Sequence, residues 1–553
     1  APARSAQMLR TGHRQSKLGH FVDVAFDKLA AGYARVLAFG LRRPVMVLLV
    51  AAGVFAASMF VFKKLPSEFV PSQDQSRLMV RLQTAVGSNL EETDRVFRRA
   101  ENYLMQQPEV VRVFGSVGGF GGGGGGGVNS GILFVTMTPP DERVGQQEFS
   151  ARIRKELNSY PGVRANVQDL SQQGFTGQRG YPVEFSVRGP EWEKLIELST
   201  ELREKLAASG FATDVDTDYQ VGMPELRIVP DRARAADLGV PVEEVATTIN
   251  ALVGGVRTGK YSTGGRRIDI RTRLLANQRT RPEDLARLRI RTAGGELIPL
   301  SSLVKEDERP ALQSVTRRDR ERAISIYGNV APGKSQSDAL AYVEQMSKGL
   351  PPGYRAVLGG SSVAFKESMG QLLFALVLGL VVAYMVLASQ FNSFLHPVTV
   401  LSIIPLSIAG AAFALLVTGK TLNIFSMIGL LLLMGIAKKN SIILVDYAVQ
   451  GQRERGMSAL DAMLHAGPTR LRPILMTTMA TMMAAIPPAL ALGPGAETRG
   501  PMAVAIIGGL VVSTALSLLV VPAFFVVADS LKTRLAALMH REHEEEVEEV
   551  HAH

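Results

Sequence analysis

Six apolar runs, each long enough to cross a bilayer, restrict what this chain can fold into. They lie at Val45–Phe62, Leu372–Ala388, Val398–Thr418, Ile424–Val449, Ile474–Leu492 and Met502–Ala528. Roughly 20 predominantly apolar residues suffice to span the hydrocarbon as a helix. Between the first and second runs lies Pro66–Glu367, a block of soluble character. The pattern predicts an α+β membrane protein: six transmembrane helices with a large domain inserted after the first. Average composition hides this, because 46% hydrophobic residues over 553 is ordinary for a soluble protein; here they are segregated.

The net charge of +10 does not point to nucleic acid, since no basic stripe interleaved with aromatics is present. The cations instead flank the spans. Arg4, Arg10, Arg14, Lys17, Arg42 and Arg43 precede the first; Arg453, Arg455, Arg470 and Arg472 fill one connection; Lys532, Arg534 and Arg541 follow the last. Six spans put all three groups on one side, which the positive-inside rule makes cytoplasmic. The insertion is then periplasmic, and a chain without cysteine suits that compartment without requiring it.

Within Ile424–Val449 stands Gly435-Ile436-Ala437-Lys438-Lys439-Asn440-Ser441-Ile442-Ile443-Leu444-Val445-Asp446. A lysine at the centre of a span costs at least ~3 kcal/mol on insertion scales. Lys439 and Asp446 share a helical face, with Gly435 one turn earlier on the same ridge. A small residue there lets a neighbouring helix approach closely. This predicts a charge relay facing a bundle interior. Snorkelling accounts for Lys438, but Lys439 is too near the midpoint to reach the interface cheaply. In the next run Arg470 and Thr477 are again seven residues apart and co-facial, whereas Arg472 reads as interfacial anchoring.

The soluble block alternates strand and helix patterns. Leu78–Gln83, Val110–Val117, Gly131–Met137 and Val163–Val167 are strand-like, with helices at Leu90–Gln106 and Gln146–Leu157. That is β-α-β-β-α-β, the split ferredoxin-like plan. A second copy follows: strand Pro182–Val187, helix Glu191–Ala208, strand Ala212–Thr217, then strand Ala323–Tyr327, helix Ser337–Lys348 and strand Tyr354–Leu358. An insertion of roughly 225–310 interrupts it. In the first copy, Gly118-Gly119-Phe120 runs into Gly121–Gly127. No Gly-Lys-Ser/Thr follows, so a phosphate loop is disfavoured; the loop is either a slack connector or a mobile element, since glycine permits almost any backbone angle. No metal cluster, catalytic nucleophile–base set or phosphate site appears, so an enzyme is not expected, and His396 has no partner that would make it a ligand. The opening Ala1–Leu9 has no initiator Met and no signal-peptide pattern, and reads as the continuation of a longer chain. The charged tail Glu542–His553 is expected to be disordered.

Several stretches together resemble the C-terminal half of RND (resistance–nodulation–cell division) efflux pumps of the AcrB/MexB type. They are Leu65-Pro66-Ser67-Glu68-Phe69-Val70-Pro71, Ala331-Pro332-Gly333-Lys334-Ser335, Gly435–Ala448, Arg470–Thr477 and Val521-Pro522-Ala523-Phe524-Phe525. The resemblance implies a proton-driven exporter of amphiphilic or hydrophobic compounds in the bacterial inner membrane, powered by proton-motive force without a bound cofactor. It implies a cytoplasmic segment with an amphipathic helix at 1–43, a first span at 44–64 and one porter subdomain at 65–180. A second porter subdomain follows at 181–361, with a docking lobe at about 225–310, then a five-helix bundle at 362–528 and a cytoplasmic tail at 529–553. By motif position Lys439, Asn440, Arg470 and Thr477 belong to the proton relay, with Asp446 nearby. Phe120, Phe134, Gly121, Gly122 and Gly123 border the substrate path. Such pumps take two acidic relay residues from an N-terminal half, and relatives usually carry another aromatic where this loop has glycine. The implied partners are that half or a companion subunit, in a homo- or heterotrimer with a periplasmic adaptor and an outer-membrane channel. Protein-translocation subunits of the SecD/SecF type also have six helices with a periplasmic domain after the first. The duplicated unit with its inserted lobe, and the Lys-Asn helix, favour the pump over that reading and over a non-transporting assembly half.

Overall fold

The computed structural model describes residues 17–118, 127–170, 180–219, 221–279, 281–312, 315–491 and 495–551. Two helices lead in: α1 (Lys17–Arg42) and α2 (Pro44–Lys64). Pro44 at the first helical position separates them, a place where its missing N–H costs nothing.

The first soluble unit comprises β1 (Arg77–Gln83), α3 (Leu90–Met105), β2 (Val110–Val117), β3 (Ser130–Met137), α4 (Gln146–Leu157) and β4 (Arg164–Asp169). Its sheet order is β2-β3-β1-β4, with every pair antiparallel. The register Val80↔Leu133 and Val80↔Val167 puts alternate apolar residues on one face. Phe97, Ala100 and Leu104 of α3 and Phe149, Ile153 and Leu157 of α4 close that face into a core. Helix α3 starts where the Asn89 side chain accepts the Glu92 N–H at 2.8 Å, satisfying one of the orphan donors of a first turn.

The second unit repeats the plan: β5 (Val183–Gly189), α5 (Trp192–Ala208), β6 (Ala212–Thr217), β14 (Glu321–Val330), α9 (Gln336–Ser347) and β15 (Arg355–Leu358). Strands β6, β14, β5 and β15 lie side by side, the order of the first sheet, and the two-residue β13 (Arg317–Arg318) also pairs with β14. Between β6 and β14 is the lobe, bounded by β7 (Val221–Pro230) paired with β12 (Val304–Leu312). It contains helices α6 (Arg232–Asp237), α7 (Val242–Ile249) and α8 (Pro282–Ala286). The hairpin of β8 (Val256–Thr263) and β9 (Arg266–Thr272), exposed along almost its whole length, projects from it, and β10 (Arg289–Arg291) pairs with β11 (Leu297–Pro299).

The chain then forms α10 (Gly360–Phe391), α11 (Leu395–Leu401), α12 (Ile403–Val417), α13 (Ile424–Arg455), α14 (Ala459–Ala489) and α15 (Ala496–His551). Among the described residues, five stretches are long and apolar enough to cross a membrane: Pro44–Lys64, Gly360–Phe391, Leu395–Val417, Ile424–Arg455 and Ala496–Thr533. The expected sixth, α14, is a continuous helix of 31 residues but is not among them. Arg470, Arg472, Thr477, Thr478 and Thr481 and four internal prolines dilute its apolar character. Backbone helix continues through the tail to His551, where disorder was expected; the Glu-rich sequence has good helix propensity.

Helix α15 is the hub, packing on α12, α13 and α14. A Cβ on Gly508 would lie 2.2 Å from Ala414 Cβ and 2.9 Å from the Gly410 carbonyl oxygen. On Gly509 it would meet Leu433 Cδ2 at 2.1 Å and Ser407 O at 2.9 Å. Small residues let the backbones touch, the packing mode helices use in lipid. The sequence placed a close approach at Gly435, yet a Cβ there would meet nothing within 4 Å.

A short strap joins bundle and soluble units. Glu68 N–H donates to Leu422 O at 3.1 Å and Leu422 N–H to Pro66 O at 2.9 Å. Phe69 N–H donates to Gln336 Oε1 at 2.8 Å, and Gln336 Nε2 donates to Pro182 O at 2.7 Å. Here Glu68 accepts a 2.6 Å hydrogen bond from Thr421 Oγ1. Burial nonetheless raises its pKa, with the Thr421 bond opposing. A carboxyl whose folded pKa is raised stabilises the fold below its unfolded pKa, and that contribution is lost as pH rises through the folded value. Glu68→Gln keeps the acceptor and removes the charge. It is expected to stabilise the chain at neutral pH, with the gain lost as the pH falls to where the carboxyl is protonated in both the folded and unfolded states. Thermal melts of both forms across that range check it.

Candidate functional site in the helix bundle

Asn440 is buried at the centre of α13 and donates from Nδ2 to Thr478 Oγ1 of α14 at 3.1 Å and to Thr514 Oγ1 of α15 at 3.3 Å. Thr514 Oγ1 donates to Thr478 Oγ1 at 3.4 Å. Three helices thus meet at one polar knot where the surroundings are apolar. An asparagine inside a bundle must find partners, because a polar group left unpaired in a low-dielectric interior is costly. Ser441 Oγ, also fully buried, has no partner among the described residues.

Lys439, one residue earlier, lies on the opposite, outward stripe of α13. That stripe holds Leu432, Gly435, Lys439 and Asp446, all exposed, at the spacing that keeps residues on one helical face. Neither Lys439 nor Asp446 takes an ion-pair partner among the described residues. Arg470 packs its guanidinium over the Tyr447 ring at 4.3 Å, and its Nε is buried without a hydrogen-bond partner among the described residues. Tyr447 in turn stacks on His465 with centroids 5.9 Å apart. Arg472 bonds Asp23 of α1 at 2.8 Å and covers Phe26, tying α14 to the first helix.

Of the relay residues, then, only Asn440 enters the knot. Thr477 donates to its own Ile474 carbonyl at 3.1 Å, and its neighbour Thr478 faces Asn440 instead. The sequence does carry a signal for Thr478. Gly467, Leu471, Ile474 and Thr478 recur at helical spacing and are all buried, so a hydroxyl on that apolar stripe needed a partner. Leu510, Thr514, Ser517 and Val521 form the matching stripe on α15.

In the soluble part, Phe134 sits on the outer face of the first sheet and stacks with Phe114 of β2, centroids 6.3 Å apart. Phe120, Gly121, Gly122 and Gly123 lie outside the described residues. The two units meet along a charged seam. Arg154 Nε lies 2.9 Å from Asp214 Oδ2, and Asn329 Nδ2 donates to the same oxygen at 2.9 Å. Arg164 faces Asp216 at 3.7 Å. Burial raises the pKa of both aspartates against the pull of these partners. Cavities of about 360 and 310 Å³ flank the seam. The first is lined by Thr84, Arg203 and Asp216, the second by Ser150, Asp169 and Lys334. Arg154→Ala leaves the buried Asp214 without its cation. The expected loss is about 3 kcal/mol, read as a lowered melting temperature.

The structure is thus a bundle of apolar helices built round a polar knot, with two βαββαβ units joined to it. The AcrB/AcrD/AcrF family model matches residues 1–529, and the chain belongs to that family of RND efflux transporters. Its fold is also that of the X-ray crystal structure of a heavy metal efflux pump, with a TM-score of 0.83 at 24% identity. The match covers 92% of this chain and 53% of the pump, so the chain spans about half that structure's length.

Proposed function

We propose that this chain is the C-terminal half of a proton-driven RND exporter of amphiphilic and hydrophobic compounds, seated in the bacterial inner membrane. The observation that carries the reading is Lys439, exposed and without an ion-pair partner among the described residues, beside the buried Asn440–Thr478–Thr514 knot. A cation left without a counter-charge within a membrane is costly, so a functional Lys439 requires carboxylates from other polypeptide sequence. An N-terminal half or companion subunit supplies them, against the stripe of Leu432, Gly435 and Lys439. Arg470, whose Nε has no hydrogen-bond partner among the described residues, and Thr477 complete the relay on α14, which crosses the membrane as the sixth span. The two split ferredoxin-like units act as porter subdomains over 65–180 and 181–361, and the lobe at 225–310 docks neighbours in a homo- or heterotrimer. A periplasmic adaptor and an outer-membrane channel extend the path. The Phe114–Phe134 stack supports an apolar cargo, moving past Phe120 and the glycine loop.

Reconstitution tests this. In proteoliposomes under a pH gradient, the chain alone is expected to give no substrate-dependent proton flux, and addition of the acidic half is expected to restore it. Robust flux from the chain alone would refute the division of labour.

A further inference from the structure

Near the cytoplasmic end of the bundle a groove of about 230 Å³ runs between α1, α2 and α15. Phe39 and Gly40 of α1, Val50 and Val54 of α2 and Leu519 of α15 line it, and Arg43 is its one charged lining residue. Gly40 opens the floor: a Cβ there would come within 3.6 Å of Val47 and 3.9 Å of Leu519. From Arg43 to Val54 the groove follows α2 for eleven residues, roughly 16 Å at the helical rise. Arg43 stands at the α1–α2 break, exposed like its neighbour Arg42, and neither takes an ion-pair partner among the described residues.

We propose that this groove binds one anionic glycerophospholipid, its phosphate on Arg43 and an acyl chain along Val50 and Val54. A guanidinium presents paired donors that match phosphate oxygens, and basic residues at the cytoplasmic interface attract anionic lipid. The lining decides between occupants. One cation, Arg43, stands at the end of an otherwise apolar run along α2, which is the order of headgroup and hydrocarbon in a phospholipid. The apolar lining above the arginine matches a chain and offers a second polar headgroup nothing.

The test uses the full chain in phosphatidylcholine nanodiscs doped with spin-labelled phosphatidylglycerol or with phosphatidylcholine carrying the same label. The motionally restricted fraction of each lipid is read by electron paramagnetic resonance. The wild type is expected to restrict phosphatidylglycerol about fivefold more than phosphatidylcholine, with the preference falling at high salt. Arg43→Gln is expected to abolish the preference, and Val50→Trp to reduce the restricted fraction of both lipids by filling the groove. Both positions are exposed, Val50 at 58%, so the variants are expected to keep the wild-type melting temperature. Equal restriction of the two lipids by the wild type, or a preference that survives Arg43→Gln, would overturn the proposal. So would displacement of label by a cationic amphiphile without any selectivity for the anionic lipid, which would make the groove a cargo route.

Discussion

Gly508→Val is expected to prevent the bundle from assembling. The first added carbon alone would stand 2.2 Å from Ala414 Cβ and 2.9 Å from Gly410 O. Neither atom can swing aside, because one is a methyl fixed to its backbone and the other is backbone. Relief therefore requires α15 to move off α12. Overpacking a core typically costs 1–3 kcal/mol, occasionally more; with a rigid contact on both sides, about 3 kcal/mol or more is expected. Displacing α15 also separates Thr514 from Asn440 and opens the knot, coupling the two losses. Purified in detergent, the variant is expected to aggregate or to melt well below the parent. Gly435→Val is the control, since a Cβ there would meet nothing within 4 Å; it should melt with the wild type. Similar destabilisation of the two would show that helix contact does not explain the glycines.

How much of this was legible in the sequence differs by element. The first βαββαβ pattern read cleanly because its strands alternate: Gly131, Leu133, Val135 and Met137 of β3 are buried and the residues between them half-buried, and the sheet keeps that period. Strands β7 and β12 pair over 221–312, where the second unit is interrupted. The bundle was harder. Hydropathy finds spans but says little about which side of an all-apolar helix faces a neighbour. Gly435 and Gly508 look alike in sequence, yet only Gly508 touches another backbone. Thr477 and Thr478 are adjacent, and which of them meets Asn440 is set by helical phase within α14. Thr514 lies 74 residues from Asn440, a distance over which no local pattern reports contact.

Lys439→Ala, made in the chain reunited with an acidic half, is expected to abolish transport while leaving expression and assembly intact. The physical argument begins with position. Lys439 is on the exposed stripe of α13, so its loss removes no contact within this chain and leaves no cavity. On the proposed division of labour, what it removes is the cation that would face the carboxylates of the acidic half. Two carboxylates then confront each other without a counter-charge, one is forced to stay protonated, and the pair titrates as a coupled unit. A relay held in one protonation state cannot cycle. Lys438 is half-buried and points about 100° round the helix, so Lys438→Ala should be mild. Asn440→Leu works differently: it leaves Thr478 and Thr514 facing a side chain that offers no hydrogen bond, an expected loss of about 1–3 kcal/mol. Melting temperature separates that structural effect from the electrostatic one. Drug-susceptibility assays, with quantified membrane expression, rank the three substitutions, and equal loss from Lys438→Ala and Lys439→Ala would contradict the assignment. Lys439→Arg adds a discriminating case. It preserves the charge but replaces a compact ammonium with a wide planar fork whose pKa is too high to release a proton, so assembly should be retained and turnover lost.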